Sequence, residues 1–252
     1  MLAFFLRTTM TLAGKAVLVT GGGTGIGRGI ALALAAEGCQ VGIAGRRMEP
    51  LRETAAMFKG QPAISCQAAD VASLQDVEQL FQWLRNEIGP VDILVNSAGV
   101  NIPKRSMAEL TPDDWNLLMQ VNATGAYYCM RAALPGMREK KDGLIVNISS
   151  ISGKRASLLG GVAYSASKFA MSALGGAVAL EDGSHGIRVT TIFPGEVETP
   201  ILDRRPVKVS AEHRARILQP EDVAAAVVMV AKLPPRAHIP ELIIKPTWQD
   251  YA

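Results

Sequence analysis

Val17-Leu-Val-Thr-Gly-Gly-Gly-Thr-Gly-Ile-Gly27 runs from strand-type residues into a glycine-dense turn, and Ala31-Leu-Ala-Leu-Ala-Ala36 follows with strong helix propensity. Strand, tight turn and helix in this order form the geometry that receives a dinucleotide pyrophosphate. Glycines let the backbone turn sharply and come close to phosphates, while the free N–H groups of the new helix face the negative charge. The spacing, counted on Gly21, Gly25 and Gly27, is Gly-x-x-x-Gly-x-Gly, not the commoner Gly-x-Gly-x-x-Gly. Alone, such a cluster also reads as ordinary turn chemistry. The small residues Gly29, Ala31, Ala33 and Ala35 suit a helix packed close to a sheet.

Outward from this stretch, apolar strands alternate with helices. Strands are expected at 40–44, 62–67, 92–95, 143–148, 187–193 and 239–244. Helices are expected at 50–58, from Ser73 to Ile88, from Thr111 to Met137, from Ala163 to Asp182 and from Glu221 to Lys232. This pattern predicts an α/β fold: a single-domain Rossmann fold whose parallel seven-stranded sheet carries helices on both faces and its ligand at the carboxyl ends of the strands. No repeat or linker divides the chain. Residues 1–10 read as a disordered appendage with Met10 as a possible start, and 11–252 as one domain with a substrate loop near 195–220.

With 48% hydrophobic and 19% charged residues, the chain can bury a large core and falls outside the composition of disorder. A net charge of +3, without blocks of like charge, gives no reason to expect nucleic acid or an acidic membrane as partner. No apolar run reaches the length of a membrane span, and the apolar start before Arg7 is too short for a signal sequence. Cys39, Cys66 and Cys129 are scattered and odd in number, and the histidines form no ligand motif. The expectation is a cytoplasmic protein with no disulfide framework and no metal.

The polar residues gather at one end of the strands. Arg46-Arg47, Asp70, Asn96, Ser150 and Pro194-Gly195 each follow a strand, so all should meet on one rim of the sheet. Tyr164 and Lys168 stand four residues apart on a helix, which puts phenol and ammonium on one face within reach of that rim.

These motifs together resemble the short-chain dehydrogenase/reductase family from Lys15 to about residue 200. The matching stretches are Thr20 to Gly27, Asp70-Val71, Asn96-Ser-Ala-Gly99, Val121-Asn122, Ile148-Ser-Ser150, Tyr164-Ser-Ala-Ser-Lys168 and Pro194-Gly-Glu-Val-Glu-Thr199. The resemblance implies an oxidoreductase moving a hydride between a nicotinamide cofactor and a carbonyl or secondary alcohol. It implies a pyrophosphate turn at Gly21, Gly23, Thr24, Gly25, Ile26 and Gly27, an adenine contact at Asp70 with Val71 beside it, and a bracing segment at Asn96, Ala98 and Gly99. Pro194, Gly195, Val197 and Thr199 resemble the loop along the nicotinamide. Asn122, Ser150, Tyr164 and Lys168 match the catalytic tetrad, with Tyr164 and Lys168 also on the cofactor side. Ser149 competes for the serine place; the short Gly-ended turn at Ser150-Ile-Ser-Gly153 favours Ser150.

The chemistry agrees with these roles. Hydride transfer to a carbonyl leaves charge on oxygen, so one group must donate a proton and another polarise the bond. A free tyrosine with a pKa near 10 is a poor acid and base at neutral pH, and the Lys168 charge, together with the oxidised nicotinamide, is expected to lower it. Asn122 is expected to hold a water on a proton path from Lys168. Cofactor choice is expected to be NADP: the second strand ends with no carboxylate before Glu49, and Arg46 and Arg47 supply the donors a 2′-phosphate prefers.

Two features depart from the family pattern. The chain ends without a glycine-rich tail, and Glu196 stands where small or aromatic residues are usual. Glu196 is expected to face solvent; the other reading is contact with a substrate amine or hydroxyl. The basic loop 201–219 is expected to be solvated surface, with an anionic substrate as the alternative. The partners expected are a small-molecule substrate and a second copy of the chain, in a homodimer or homotetramer built on the helices from Pro112 and Ala163. A catalytically silent NADP-binding sensor or scaffold is the rival reading; an epimerase or dehydratase fits less, lacking its glycine pattern and added C-terminal region.

Overall fold

A computed structural model describes residues 10–250. Fifteen strands and helices of regular type follow in the order β1 (Ala16–Thr20), α1 (Gly25–Ala36), β2 (Gln40–Gly45), α2 (Met48–Met57), β3 (Ser65–Ala68), α3 (Leu74–Glu87), β4 (Ile93–Asn96), α4 (Pro112–Met119), α5 (Gly125–Lys140), β5 (Gly143–Ile148), α6 (Val162–Asp182), β6 (Ile187–Pro194), α7 (Ala211–Arg216), α8 (Pro220–Ala231) and β7 (Glu241–Ile244). The strands form one parallel sheet in the order β3-β2-β1-β4-β5-β6-β7. The order reverses between β1 and β4, which opens a crevice above their carboxyl ends.

Successive residues of β1 point to opposite faces, and both faces are covered. Val17 and Val19 pack with Ile30 and Leu34 of α1 and with Val223 and Val227 of α8. Leu18 packs on the other side with Val77 and Leu84 of α3, Met130 and Met137 of α5 and Val178 of α6. This two-sided burial explains why β1, β4 and β5 read as continuous apolar runs without alternation. Ser73 and Thr111 cap α3 and α4 by accepting from the amides of Asp76 and Asp114.

Several boundaries differ from the sequence reading. β3 begins at Ser65, three residues after Pro62, which has no N–H to give a ladder. The helix expected to run unbroken from Thr111 is interrupted by a π-helical turn, Gln120–Thr124, before α5 continues to Lys140. The basic loop contains a 3-10 turn, Pro200–Arg204, and the short helix α7, capped by Ser210. Residues 1–9 of the expected appendage lie outside the described residues; Met10 donates its amide to the Lys232 carbonyl at 2.9 Å.

The far end of α6 is fixed by a buried acid. Asp182, 1% exposed, receives Arg138 Nε at 2.6 Å and a terminal nitrogen at 2.9 Å. These bonds hold its carboxyl below the ordinary value of 3.8. The stability Asp182 contributes is therefore complete above that value and lost as pH falls through the lower folded-state value. Urea midpoints measured from pH 5 downward should fall less steeply in Asp182→Asn than in the wild type. Parallel acid limbs in the two proteins would assign the acid sensitivity to other groups.

Candidate active site

The crevice holds a cleft of about 600 Å³. Its floor is the β1–α1 turn. Gly21 (φ +69°) and Gly25 (φ +50°) adopt the left-handed conformation, and a Cβ on Gly27 would stand 2.3 Å from the Gly21 carbonyl oxygen. Only glycine permits this turn and this approach of α1 to it. Two polar anchors hold the turn in place. Thr20 Oγ1 accepts from the amides of Ser97 and Ala98 at 3.1 and 3.2 Å, binding the end of β1 to the end of β4. Arg28 donates to the Gly23 carbonyl at 3.1 and 2.7 Å and to Thr54 Oγ1 at 2.9 Å. Thr24 stands at the N-cap of α1 without a side-chain capping bond, and no acidic residue occupies that helix's first turn.

Gly21, Gly23, Thr24, Gly25, Ile26 and Gly27 line the cleft together with Arg46, Arg47, Asp70, Val71, Ala98 and Gly99. On the opposite wall stand Ser150, Tyr164 and Lys168, and Pro194, Gly195, Val197 and Thr199 close it along one edge. Two residues from the sequence reading lie behind the wall. Asn96 is buried at the end of β4 and donates to Asn147 Oδ1 at 2.9 Å. Asn122 sits in the π-helical turn, where its Oδ1 accepts from the Val100 amide at 2.8 Å and its Nδ2 donates to Val100 O and Ser167 Oγ, both at 3.0 Å. A Cβ on Gly99 would meet Lys168 Nζ at 3.4 Å and Asn122 Oδ1 at 3.5 Å, so these two polar atoms approach the same bare backbone position.

The two serines have different surroundings. Ser149 is buried, with its hydroxyl engaged by Lys168 O at 3.2 Å and Ser172 Oγ at 3.1 Å. Ser150 is half-buried and begins the 3-10 turn Ile151–Gly153, receiving the Ser152 amide at 3.1 Å. Lys168 donates from Nζ to Ile148 O at 2.8 Å and lies 5.9 Å from the centre of the Tyr164 ring. Burial presses its pKa down to about 8. Enclosure raises the pKa of Tyr164, while the Ser150 hydroxyl and the charge of Arg105 act the other way. Around the phenol, the Ser150 hydroxyl and the charge of Arg105 favour the ionised form, and Lys168 donates to the Ile148 carbonyl.

Glu196 requires a correction. Its side chain is only 12% exposed, paired with Arg205 at 2.9 Å and His213 at 2.8 Å. Burial works to raise its pKa, but the bonds from His213 and Arg205 hold the carboxyl below its usual range. Arg214 joins the same loop to Glu198 at 2.6 Å and to Asp203 at 2.5 Å. The loop is thus cross-linked by ion pairs, with Glu196 at its base, and much of its basic charge is internal.

The motif-bearing stretch coincides with a short chain dehydrogenase family model matching residues 15–208. The chain belongs to the short-chain dehydrogenase/reductase family. It is 36% identical to a glycine betaine reductase of Emericella nidulans over 93% of this chain, a match covering 19% of that larger protein. It is 33% identical to an uncharacterized oxidoreductase of Staphylococcus aureus, with 93% of this chain and 98% of the relative aligned. Among solved structures, the closed form of a serine dehydrogenase complexed with NADP+ superposes with a TM-score of 0.86 at 32% identity, covering 94% of this chain and 96% of that one.

Against this short-chain dehydrogenase pattern, two residues escaped the sequence reading, Arg28 behind the glycine turn and Arg105 at the cleft, and Thr20, the first residue of the glycine motif, was not read as an anchor. Thr20 and Arg28 lie inside the glycine motif's own neighbourhood, where a hydroxyl and a guanidinium are the only polar side chains besides Thr24. Arg105 lies in the irregular stretch after β4, where its only signal was a basic residue a few positions beyond a rim motif.

Proposed function

We propose that this protein is an NADP(H)-dependent oxidoreductase that interconverts a carbonyl compound and a secondary alcohol, with Tyr164 as acid and base. The observation carrying the proposal is the meeting of Ser150, Tyr164 and Lys168 on one wall of a cleft whose floor is a glycine turn at a helix N-terminus. The residues fit a dinucleotide. Gly21, Gly23, Gly25 and Gly27 line the cleft with no side chain between backbone and ligand, the start of α1 offers unsatisfied N–H groups, and Arg46 and Arg47 are exposed at the cleft. The solved serine dehydrogenase complex with NADP+ supports the same choice of cofactor.

When bound, the nicotinamide supplies or accepts the hydride. The protein's part is to hold the substrate oxygen and move one proton. The Ser150 hydroxyl donates to that oxygen and polarises the carbonyl. The Tyr164 phenol gives its proton to the oxygen as charge develops there. Lys168 supplies positive charge to the same wall and, next to Asn122 across Gly99, starts the path by which the proton is replaced. The enclosure that raises the Tyr164 pKa keeps the phenol protonated at neutral pH, the form that reduction uses.

The test is a panel of aldehydes, ketones and oxo acids assayed by the loss of NADPH absorbance, with NADH in parallel. Turnover of at least one carbonyl class, dependent on Tyr164, is expected; no oxidation of either cofactor across the panel would overturn the reading. On an active substrate, Ser150→Ala should cost roughly tenfold in kcat/KM, as expected for one lost hydrogen bond. Ser149→Ala should cost less, and the reverse order would move the role to Ser149.

The assembly proposed is a homodimer or homotetramer through α4, α5 and α6. Trp115, Tyr127, Phe169 and Leu180 stand exposed on these helices, Leu180 at 89%. Met171 of α6 is buried in the core. Light scattering at micromolar concentration should give at least twice the chain mass, and a monomeric mass would exclude the assembly.

A further inference from the structure

Two guanidinium groups border both the main cleft and an adjoining cavity of about 470 Å³. They belong to Arg105 and Arg205. Arg105 is half-buried, and its position is fixed by three carbonyl groups from three segments. Nε donates to Ile102 O at 2.7 Å, one terminal nitrogen to Leu159 O, and the other to Arg204 O at 3.1 Å. A guanidinium has five N–H donors, so one remains on each terminal nitrogen. All three acceptors are neutral. Among the described residues, no carboxylate lies within ion-pair distance of Arg105.

Arg205 cannot balance that charge and adds to it. Its only carboxylate among the described residues, Glu196, is shared with His213. Burial and then the like charge of Arg205 act against the Arg105 charge, and Tyr164 acts the other way; the uncompensated cation lines the same cleft as the proton donor. A half-buried charge without an opposite charge beside it is costly even when hydrogen-bonded, and an anion entering from the cleft offsets that cost. Lys208 at the same cavity is exposed and Arg205 is paired with Glu196, so Arg105 is the half-buried cation with no carboxylate of its own. A carboxylate can accept from the N–H groups left on its terminal nitrogens. The adjoining cavity adds Leu158, Leu159, Pro206 and Val207, an apolar wall beside the cations.

We propose that Arg105, backed by Arg205, is a carboxylate subsite, and that the substrate is an oxo acid or hydroxy acid whose acid group binds there while its carbonyl or alcohol meets Tyr164. The word substrate rests on the oxidoreductase reading above; the anion site does not. The test uses calorimetric titration of the protein saturated with NADP+, with pentanoate and pentanamide as probes. Pentanoate should bind at least tenfold more tightly than pentanamide. Arg105→Gln should abolish the difference, and Arg105→Lys should keep part of it.

Equal binding of the two probes to the wild type, or no binding of pentanoate, overturns the subsite. Equal loss of both probes in Arg105→Gln also overturns it, because Arg105 would then serve only as a clasp on three carbonyls. If the Gln variant does not fold, the wild-type comparison and the Lys variant decide. A second arm compares turnover of 4-oxopentanoate and its methyl ester with NADPH. Pentanoate binding without turnover of any carbonyl would leave the subsite standing and remove the oxidoreductase reading. Turnover of the ester equal to that of the acid, with no probe preference, would do the opposite.

Discussion

Tyr164→Phe is expected to lower kcat for carbonyl reduction by about 10²–10⁴-fold, the range for loss of a positioned general acid, while NADPH affinity stays near the wild-type value. The variant removes one hydroxyl and keeps the ring, so packing around α6 should survive. The pH profile gives a second reading. Reduction needs the protonated phenol and the charged Lys168. The Tyr164 pKa is raised by enclosure, and that of Lys168 is lowered to about 8. Activity in the reducing direction should therefore hold through neutral pH and decline from about pH 8 upward as Lys168 loses its charge. Oxidation of the alcohol, which needs the phenolate, should increase with pH across the neutral range. Near-normal turnover in the Phe variant would remove Tyr164 from the chemistry. A reduction rate that rises from pH 7 to pH 9 would contradict the assigned protonation states.

The sheet and the glycine turn were legible because their constraints are local. Val17 to Val19 must be apolar on both faces, and Gly21, Gly25 and Gly27 must lack a Cβ for the chain to turn and α1 to close on it. The order of rim motifs was legible for a related reason: in a parallel sheet, each strand delivers its last residues to the same edge. What depends on residues far apart in the chain was not legible. Glu196 looks like a surface acid until the loop folds back to bring His213, seventeen residues on, against it. The Arg105 guanidinium has meaning only once Leu159 and Arg204 supply its acceptors. The π-helical turn at Gln120–Thr124 breaks no sequence rule, yet it re-aims Asn122 toward Val100 and Ser167. The immediate surroundings of Tyr164 were not legible for the same reason. Spacing puts Lys168 on its face of α6, but burial and the Ile148 carbonyl determine what Lys168 does there.

Cofactor selection turns on the end of β2. An NAD-selective protein of this design places a carboxylate there, which accepts from the ribose hydroxyls and repels a 2′-phosphate. In this chain β2 ends at Gly45, and Arg46 and Arg47 follow, both exposed at the cleft. Among the described residues neither forms an ion pair, although Glu49 and Glu53 lie close in sequence; Glu53 is engaged by Arg28. Arg47 is the N-cap of α2 and makes no side-chain capping bond, so two cations stand at the positive end of a helix dipole. That arrangement is unfavourable by itself and becomes favourable when a phosphate dianion sits between them. The wild type should accordingly prefer NADPH over NADH. Arg46→Ala should raise the KM for NADPH, lowering its kcat/KM by roughly ten- to a hundred-fold, as expected for a lost charge-assisted hydrogen bond. NADH kinetics should barely change, because the group removed has no partner on a ribose without the phosphate. The double variant Arg46→Ala/Arg47→Ala should erase the preference. A wild type with equal kcat/KM for the two cofactors, or an Arg46→Ala variant that weakens both alike, would show that these arginines serve α2 or the surface and not the cofactor.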